Sequence, residues 1–260
     1  MSEIALAETG RDVRLAARAG FQGLTVGRAR GFAQANLILL PERFASGFEA
    51  FCRANPVACP LLAVGEPGAV ALPSLAAGLD LRSDLPAYLV HERGTPRRAT
   101  DIAGNWRDDL VAFAIGCWFG AEAALAAAGV RMRHVELGVQ GPLFRTNRPA
   151  VAAGGFEGPQ VVSMRPFVRG DADRVVAITS RLPRSHGAPL HQGASAELGI
   201  VDVDRPDWGE PLPMEPGEIA LFWACGLTAL AALQAAELPF FITHAPGAML
   251  VTDLQEGAQP

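Results

Sequence analysis

The chain contains no lysine: all 22 of its basic residues are arginine, set against 27 acidic ones. Without a lysine amine there is no Schiff-base chemistry, no pyridoxal phosphate anchor and no P-loop grip on a nucleotide. Positive charge is in deficit too. A net charge of -5, with the arginines spread along the whole chain, offers no basic face to a nucleic-acid backbone. The four cysteines, Cys52, Cys59, Cys117 and Cys225, lack any C-x-x-C spacing, so neither a zinc knuckle nor a thioredoxin-type motif is present. A reduced, cytoplasmic protein is expected. No export signal is expected either, because MSEIALAETGRDVRLAARAG mixes acids and arginines without an apolar core and reads as an amphipathic helix. The one long uncharged run, Ile219 to Ala236, is 18 residues, at the lower limit for a membrane span. It is flanked by Glu218 and Glu237 and broken at Cys225-Gly226, so it divides into a buried strand, IALFWA, and a helix, LTALAALQAAEL. No membrane partner is expected.

What is present is a large apolar fraction, 50% of 260 residues with 19% charged, ample for a buried core. Helices are expected over 11–35 and 41–54, the second starting at Pro41 and stopped by Asn55-Pro56. LLAV (61–64) and PAYLVHERG (86–94) read as strands. WRDDLVAFAIGCWFGAEAALAAAG (106–129) is apolar nearly all round and reads as a buried helix closed by Gly129. RHVELGV, PQVVSMRPF and GIVDVD read as strands, with DADRVVAITSRL as an amphipathic helix. FFITHA and AMLVTD close the chain as strands around a Pro-Gly turn. Elements alternate without a repeat of fixed period, which predicts a layered α/β architecture. The Gly/Pro-rich middle differs in texture, so 1–135 and 205–260 are expected to form the main α/β domain and 136–204 a smaller inserted one.

In so apolar a chain the polar stretches are few, and each falls at the end of an expected element, where loops converge on pockets in α/β folds. Read with their neighbours they form an ordered series: GFAQANLILLP, FCRANPVACPLL, DLRSDLP, WRDDLVAFAIGC, FRTN, VVSMRP, SRLPRSHGAPLHQG, GEIALFWACGLT and ITHAPGAMLVTD. This series resembles the D-glutamate cyclase family, in register from about Gly31 to Asp253. The resemblance implies a lyase that cyclises D-glutamate to 5-oxo-D-proline with loss of water. It implies as fold a three-layer α/β domain with a smaller two-layer α/β domain. The chain departs from the family pattern at Pro142-Leu143-Phe144, where relatives usually have Pro-Met-Tyr. It departs again at Leu227-Thr228-Ala229-Leu230, where they tend to have Val-Thr-Pro-Gln.

Such chemistry needs a cationic clamp for a carboxylate beside groups that move protons. Arg145 and Arg165, in two motif loops, are the expected clamp. Thr146, Asn147, Arg181, Asp84, Gly226 and Thr228 lie in the same stretches and are expected to contact substrate. His186 and His191, five apart in SHGAPLHQG, can serve as an acid and base pair, with His244 of THAPG as a third candidate. Cys225 is either a nucleophile or a packed thiol, and the amide groups of Gly226 to Thr228 could receive an oxyanion at a helix start. His91, His134 and Cys117 read as structural; Glu122 is either a buried acid or an exposed one. No cofactor is required. A divalent ion held by His186, His191 and His244 with Asp80 or Asp84 is the competing reading, in which a Lewis acid helps expel oxygen. The expected partner is a small dicarboxylate or amino acid, with a homo-oligomer left open. Two alternatives stay open: a hydro-lyase or amidohydrolase for another dicarboxylate or lactam, and a non-catalytic binder of an acidic metabolite.

Overall fold

Strand β1 (Phe32–Pro41, FAQANLILLP) organises the molecule, because both of its edges and both of its faces are covered. A computed structural model of the chain describes residues 8–92 and 96–257. The first seven residues of the expected amphipathic N-terminal helix, and Arg93 and Gly94 of the expected strand 86–94, lie outside them. Along one edge β1 pairs antiparallel with β5 (Leu110–Gly116), from Ala35↔Gly116 to Pro41↔Leu110. Two strands share the other edge. β11 (Leu250–Gln255) pairs up to Ala35↔Leu250, while β10 (Phe240–His244) takes over at Ile38↔Thr243. Asn36 and Leu37 fall in the gap between the two. β2 (Leu61–Val64) lies outside β5, and β3 (Tyr88–Glu92) and β4 (Arg97–Ala99) lie beyond β10, completing a seven-stranded antiparallel sheet.

The alternation of β1 divides the core. Ala35, Leu37 and Leu39 pack under the segment carrying Leu72, Leu75, Leu81 and Leu85. Ile38 and Leu40 face the other way, onto α2 (Glu42–Ala54) and α6 (Leu227–Ala235). A second, four-stranded antiparallel sheet has the order β6-β7-β9-β8, from β6 (Leu143–Pro149), β7 (Pro159–Val168), β9 (Glu218–Ala224) and β8 (His191–Gln192). It takes β9 from beyond residue 204. Helix α6 is the layer shared by the two sheets: Ala229, Ala232 and Leu233 meet the large one, Leu227 and Ala231 the small one. That double burial explains why the stretch is uncharged without crossing a membrane; among the described residues no helix is long and apolar enough to do so. The fold class is therefore mixed, layered α/β, with two antiparallel sheets and no membrane-spanning helix among the described residues.

Four expected elements are corrected. The helix over 11–35 is α1 (Gly10–Arg18), capped reciprocally by Thr9 and Asp12, after which the chain turns into β1. The buried helix over 106–129 is β5, a tight turn at Trp118–Ala121 and the short α3 (Glu122–Ala127). β5 is buried on both faces, so it has no polar side from which a period can be read. RHVELGV is not a strand but α4 (Arg133–Leu137), ended by Gly138 in the left-handed region at φ 64°. GIVDVD pairs with no strand, and its Val201 is 99% exposed. Conversely, β6 holds the FRTN stretch that reads as a loop, while α5 (Ala172–Thr179) forms within the expected helix.

Candidate active site

Period-two alternation along β7 places Val161, Ser163, Arg165 and Phe167 on one face of the small sheet and Val162 and Met164 on the other. Ser163 and Arg165 thereby reach a small cavity. Asn36 of β1, Trp118 of the turn after β5, His186, Cys225 at the end of β9 and His244 at the end of β10 line it too. Glycines let these segments approach. A Cβ on Gly116 would lie 1.8 Å from the Arg184 carbonyl oxygen, and one on Gly120 would lie 2.4 Å from Ser185 Oγ, so the His186 segment can pack here only against glycine. His186 itself is held in the left-handed region at φ 69°.

Both cavity histidines are fixed from behind. His186 Nδ1 lies 2.8 Å from the Val57 carbonyl oxygen, and His244 Nδ1 lies 3.4 Å from that of Leu37, in the gap of β1. A carbonyl can only accept, so each Nδ1 carries the proton and each Nε2 is left as a lone-pair acceptor. Burial pushes both imidazoles down to about 4, with the backbone contacts opposing it only in part. They are neutral bases at neutral pH.

Arg165 is the cavity's cation. It is 2% exposed; Nη1 donates to the Met164 carbonyl and Nη2 to that of Gln140, at 2.8 and 2.9 Å. Among the described residues no carboxylate lies within ion-pair distance of it, and burial lowers it to about 10. Its Nε, the Ser163 hydroxyl and the Trp118 indole nitrogen are all buried without a hydrogen-bond partner. Three unused donors on one cavity, one of them on a guanidinium without a counter-carboxylate, call for an anion with several acceptor oxygens. Behind Trp118, Glu122 is buried as well, 3.0 Å from His134 Nε2, accepting from the Gly27 amide, and raised by desolvation to about 7.

Burial raises the Cys225 thiol to about 11 and that of Cys117 to about 12, so both remain protonated. Two of the three amides expected to form an oxyanion site are engaged: Leu227 N–H faces Cys225 Sγ, and Thr228 N–H donates to the Cys225 carbonyl at 2.9 Å.

The remaining expected site residues lie elsewhere. His191 pairs across β8 and β9 with Phe222, which points to the face opposite Trp223, and its Nε2 lies 2.8 Å from the Ala194 carbonyl. Arg145 is half-exposed on a surface depression, stacked over Trp208 and facing Asp207. Thr146 donates to the Gln160 carbonyl at 2.8 Å, while Asn147 and Arg181 are exposed. Thr228 holds α6 to β7 through Val161 N–H at 3.0 Å. Asp84 is bound by Arg18 and faces Arg14, and Asp80 pairs with Arg82, so the carboxylates of the divalent-ion reading are committed to arginines. Among the described residues no group of three or more His, Cys, Asp or Glu side chains is set to hold a metal. Gly226 packs on the cavity-lining Asn36, where a Cβ would lie 2.4 Å from Nδ2. Asn36, Ser163 and Trp118 escape a motif-based reading. For Asn36 the signal was there, a carboxamide inside an otherwise apolar strand.

A family model described as D-glutamate cyclase matches residues 111–253. A protein of Rhodopseudomonas palustris (strain TIE-1) named "Putative hydro-lyase" is 51% identical over 243 residues, covering 93% of this chain and 89% of the relative. A hydro-lyase of the same designation from Bradyrhizobium diazoefficiens is 50% identical, covering 94% and 91%. One from Azorhizobium caulinodans is 49% identical over 252 residues, covering 96% and 93%.

Proposed function

Because the chain belongs to the D-glutamate cyclase family and is of the hydro-lyase type its relatives carry, we propose that the cavity converts D-glutamate to 5-oxo-D-proline and water. The observation that carries this reading is the buried Arg165, without a carboxylate partner, whose unused Nε is joined by two further unused donors on the cavity. A substrate carboxylate bound there would pair the guanidinium and accept from Arg165 Nε, Ser163 Oγ and Trp118 Nε1 in a site shielded from water. With the α-carboxylate so held, the rest of the substrate lies among His186, His244 and Asn36.

The cyclisation forms one C–N bond and breaks one C–O bond. The substrate ammonium yields a proton to Nε2 of a neutral imidazole, and the freed amine attacks the γ-carboxyl carbon. One γ-oxygen then leaves as water, carrying two protons that began on the nitrogen. An imidazole whose proton affinity is lowered returns that proton readily, and two of them on one cavity allow acceptance and return by different groups. The protonated Cys225 and Cys117 thiols give no thiolate at neutral pH, so the reading assigns no covalent intermediate to them.

Incubation of the purified protein with D-glutamate, L-glutamate or 5-oxo-D-proline, followed by mass spectrometry, tests this. Water loss from D-glutamate alone of the two enantiomers is expected. Turnover of neither, with a rise in melting temperature, would make the protein a binder instead.

A further inference from the structure

We infer that Asn36 reads the ammonium of the substrate, so that the cavity accepts a free α-amino acid and rejects the same dicarboxylate without its amine. This rests on the dicarboxylate reading above and adds to it the group that the guanidinium cannot recognise.

The orientation of the Asn36 carboxamide is forced. Its Nδ2 donates to the Ile115 carbonyl at 3.2 Å and to the Gly116 carbonyl at 3.0 Å. Two carbonyl oxygens on one side admit only the NH₂ group, because the flipped amide would set oxygen against oxygen. Both N–H bonds are thereby used, and the group has only Oδ1 left to offer. Among the described residues Oδ1 accepts from no protein donor, although Asn36 is 3% exposed and lines the cavity. An acceptor on a cavity-lining residue whose NH₂ group is already engaged is free to take a donor from the ligand.

The strand pattern explains why such a residue stands here. Asn36 lies in the two-residue gap on the edge of β1 where β11 has ended and β10 has not begun, with its side chain on the α6 face. Glycine at 226, the residue before α6, leaves the space the carboxamide occupies. The next residue, Leu37, gives its carbonyl to His244 Nδ1. One short piece of β1 thus presents an acceptor for an ammonium and positions a base that can deprotonate it. No lining residue of the cavity is acidic, so the acceptor is a neutral dipole. It holds the ammonium without the strong pairing that would keep it protonated, which an attacking amine needs.

A hydrogen bond from an ammonium to a buried neutral acceptor corresponds to roughly 10- to 100-fold in affinity. The test is calorimetric titration of the whole protein with D-glutamate and with glutarate, which differs only in lacking the amine. Wild type should bind D-glutamate at least about tenfold more tightly. Asn36→Ala should bind both alike while its affinity for glutarate stays near the wild-type value. Gly226→Ala, whose new Cβ displaces the carboxamide without removing it, should reduce the preference in the same way and keeps the inference testable if the first variant fails to fold. An Asn36→Ala protein that keeps the tenfold preference overturns the inference. A wild-type protein that binds both ligands equally well also overturns it and leaves the dicarboxylate reading standing. Binding of neither ligand overturns both.

Discussion

A buried guanidinium without a counter-carboxylate is a cost to the folded state, and Arg165 is such a group. Its two backbone hydrogen bonds offset only part of that cost, so a similarly shaped apolar side chain should leave stability intact while removing the anion site. Arg165→Met is therefore expected to melt within a few degrees of wild type and to raise the KM for D-glutamate by roughly 100-fold. A large fall in melting temperature would mark the residue as structural. For the imidazoles the pH profile is diagnostic. Both lie near 4, so lowering the pH from 7 to 5 leaves them unprotonated. The acid limb of kcat/KM should appear toward pH 4 instead of at the ordinary histidine value near 6.5. His186→Ala and His244→Ala should each lower kcat by roughly 10² to 10⁴ with circular dichroism unchanged. Cys225→Ala should keep activity within about tenfold, since a thiol near 11 contributes no nucleophile.

At the scale of elements, the site depends on places where chains approach closer than a side chain allows. The segment bearing His186 sits on Gly116 at the end of β5, with the Arg184 carbonyl where a Cβ would be. Gly116→Ala should push that segment away, costing about 1–3 kcal/mol in urea unfolding and activity as well. By contrast, Gly104 has open space around it, so Gly104→Ala should change neither measurably. Elements with a polar and an apolar side were legible in the sequence: α2 and α5 stand where the pattern puts them. β1 and β5 were not, because strands covered on both faces are apolar throughout and carry no periodicity to tell them from buried helix. α4 was misread because a single helical turn is too short to express a period of 3.6.

The whole molecule has an acid weakness built into its histidines. His91, His186 and His244 are lowered to about 4 by burial, and burial lowers His134 well below the ordinary histidine value too. In the unfolded chain each would titrate near 6.5, so between pH 6.5 and 4 the unfolded state binds protons that the folded state refuses. Their contribution to stability is fully present above pH 6.5 and is lost as pH falls. The loss is on the order of 1.4 kcal/mol per pH unit for each histidine. Melting temperature measured from pH 7 down to 4.5 should drop steadily, and a flat profile would contradict the burial described here.

The sequence by itself determined the chemistry this chain cannot perform, since the absence of lysine and of a basic face holds in any conformation. It also determined the family and the motif stretches from which a site would be drawn. Only tertiary structure decided which of those stretches meet. His186 and His191 are five residues apart, yet β8 carries one to the far face of the small sheet while close packing on Gly116 seats the other in the cavity. Arg145 and Arg165 are the same amino acid in equally suggestive motifs, and one is half-exposed beside Asp207 while the other is buried without a partner. The physical reason is that desolvation and unmet hydrogen bonding, which make a side chain reactive, are properties of what surrounds it. Those surroundings come from segments as distant as Asn36 and Met249, whose proximity no local pattern records.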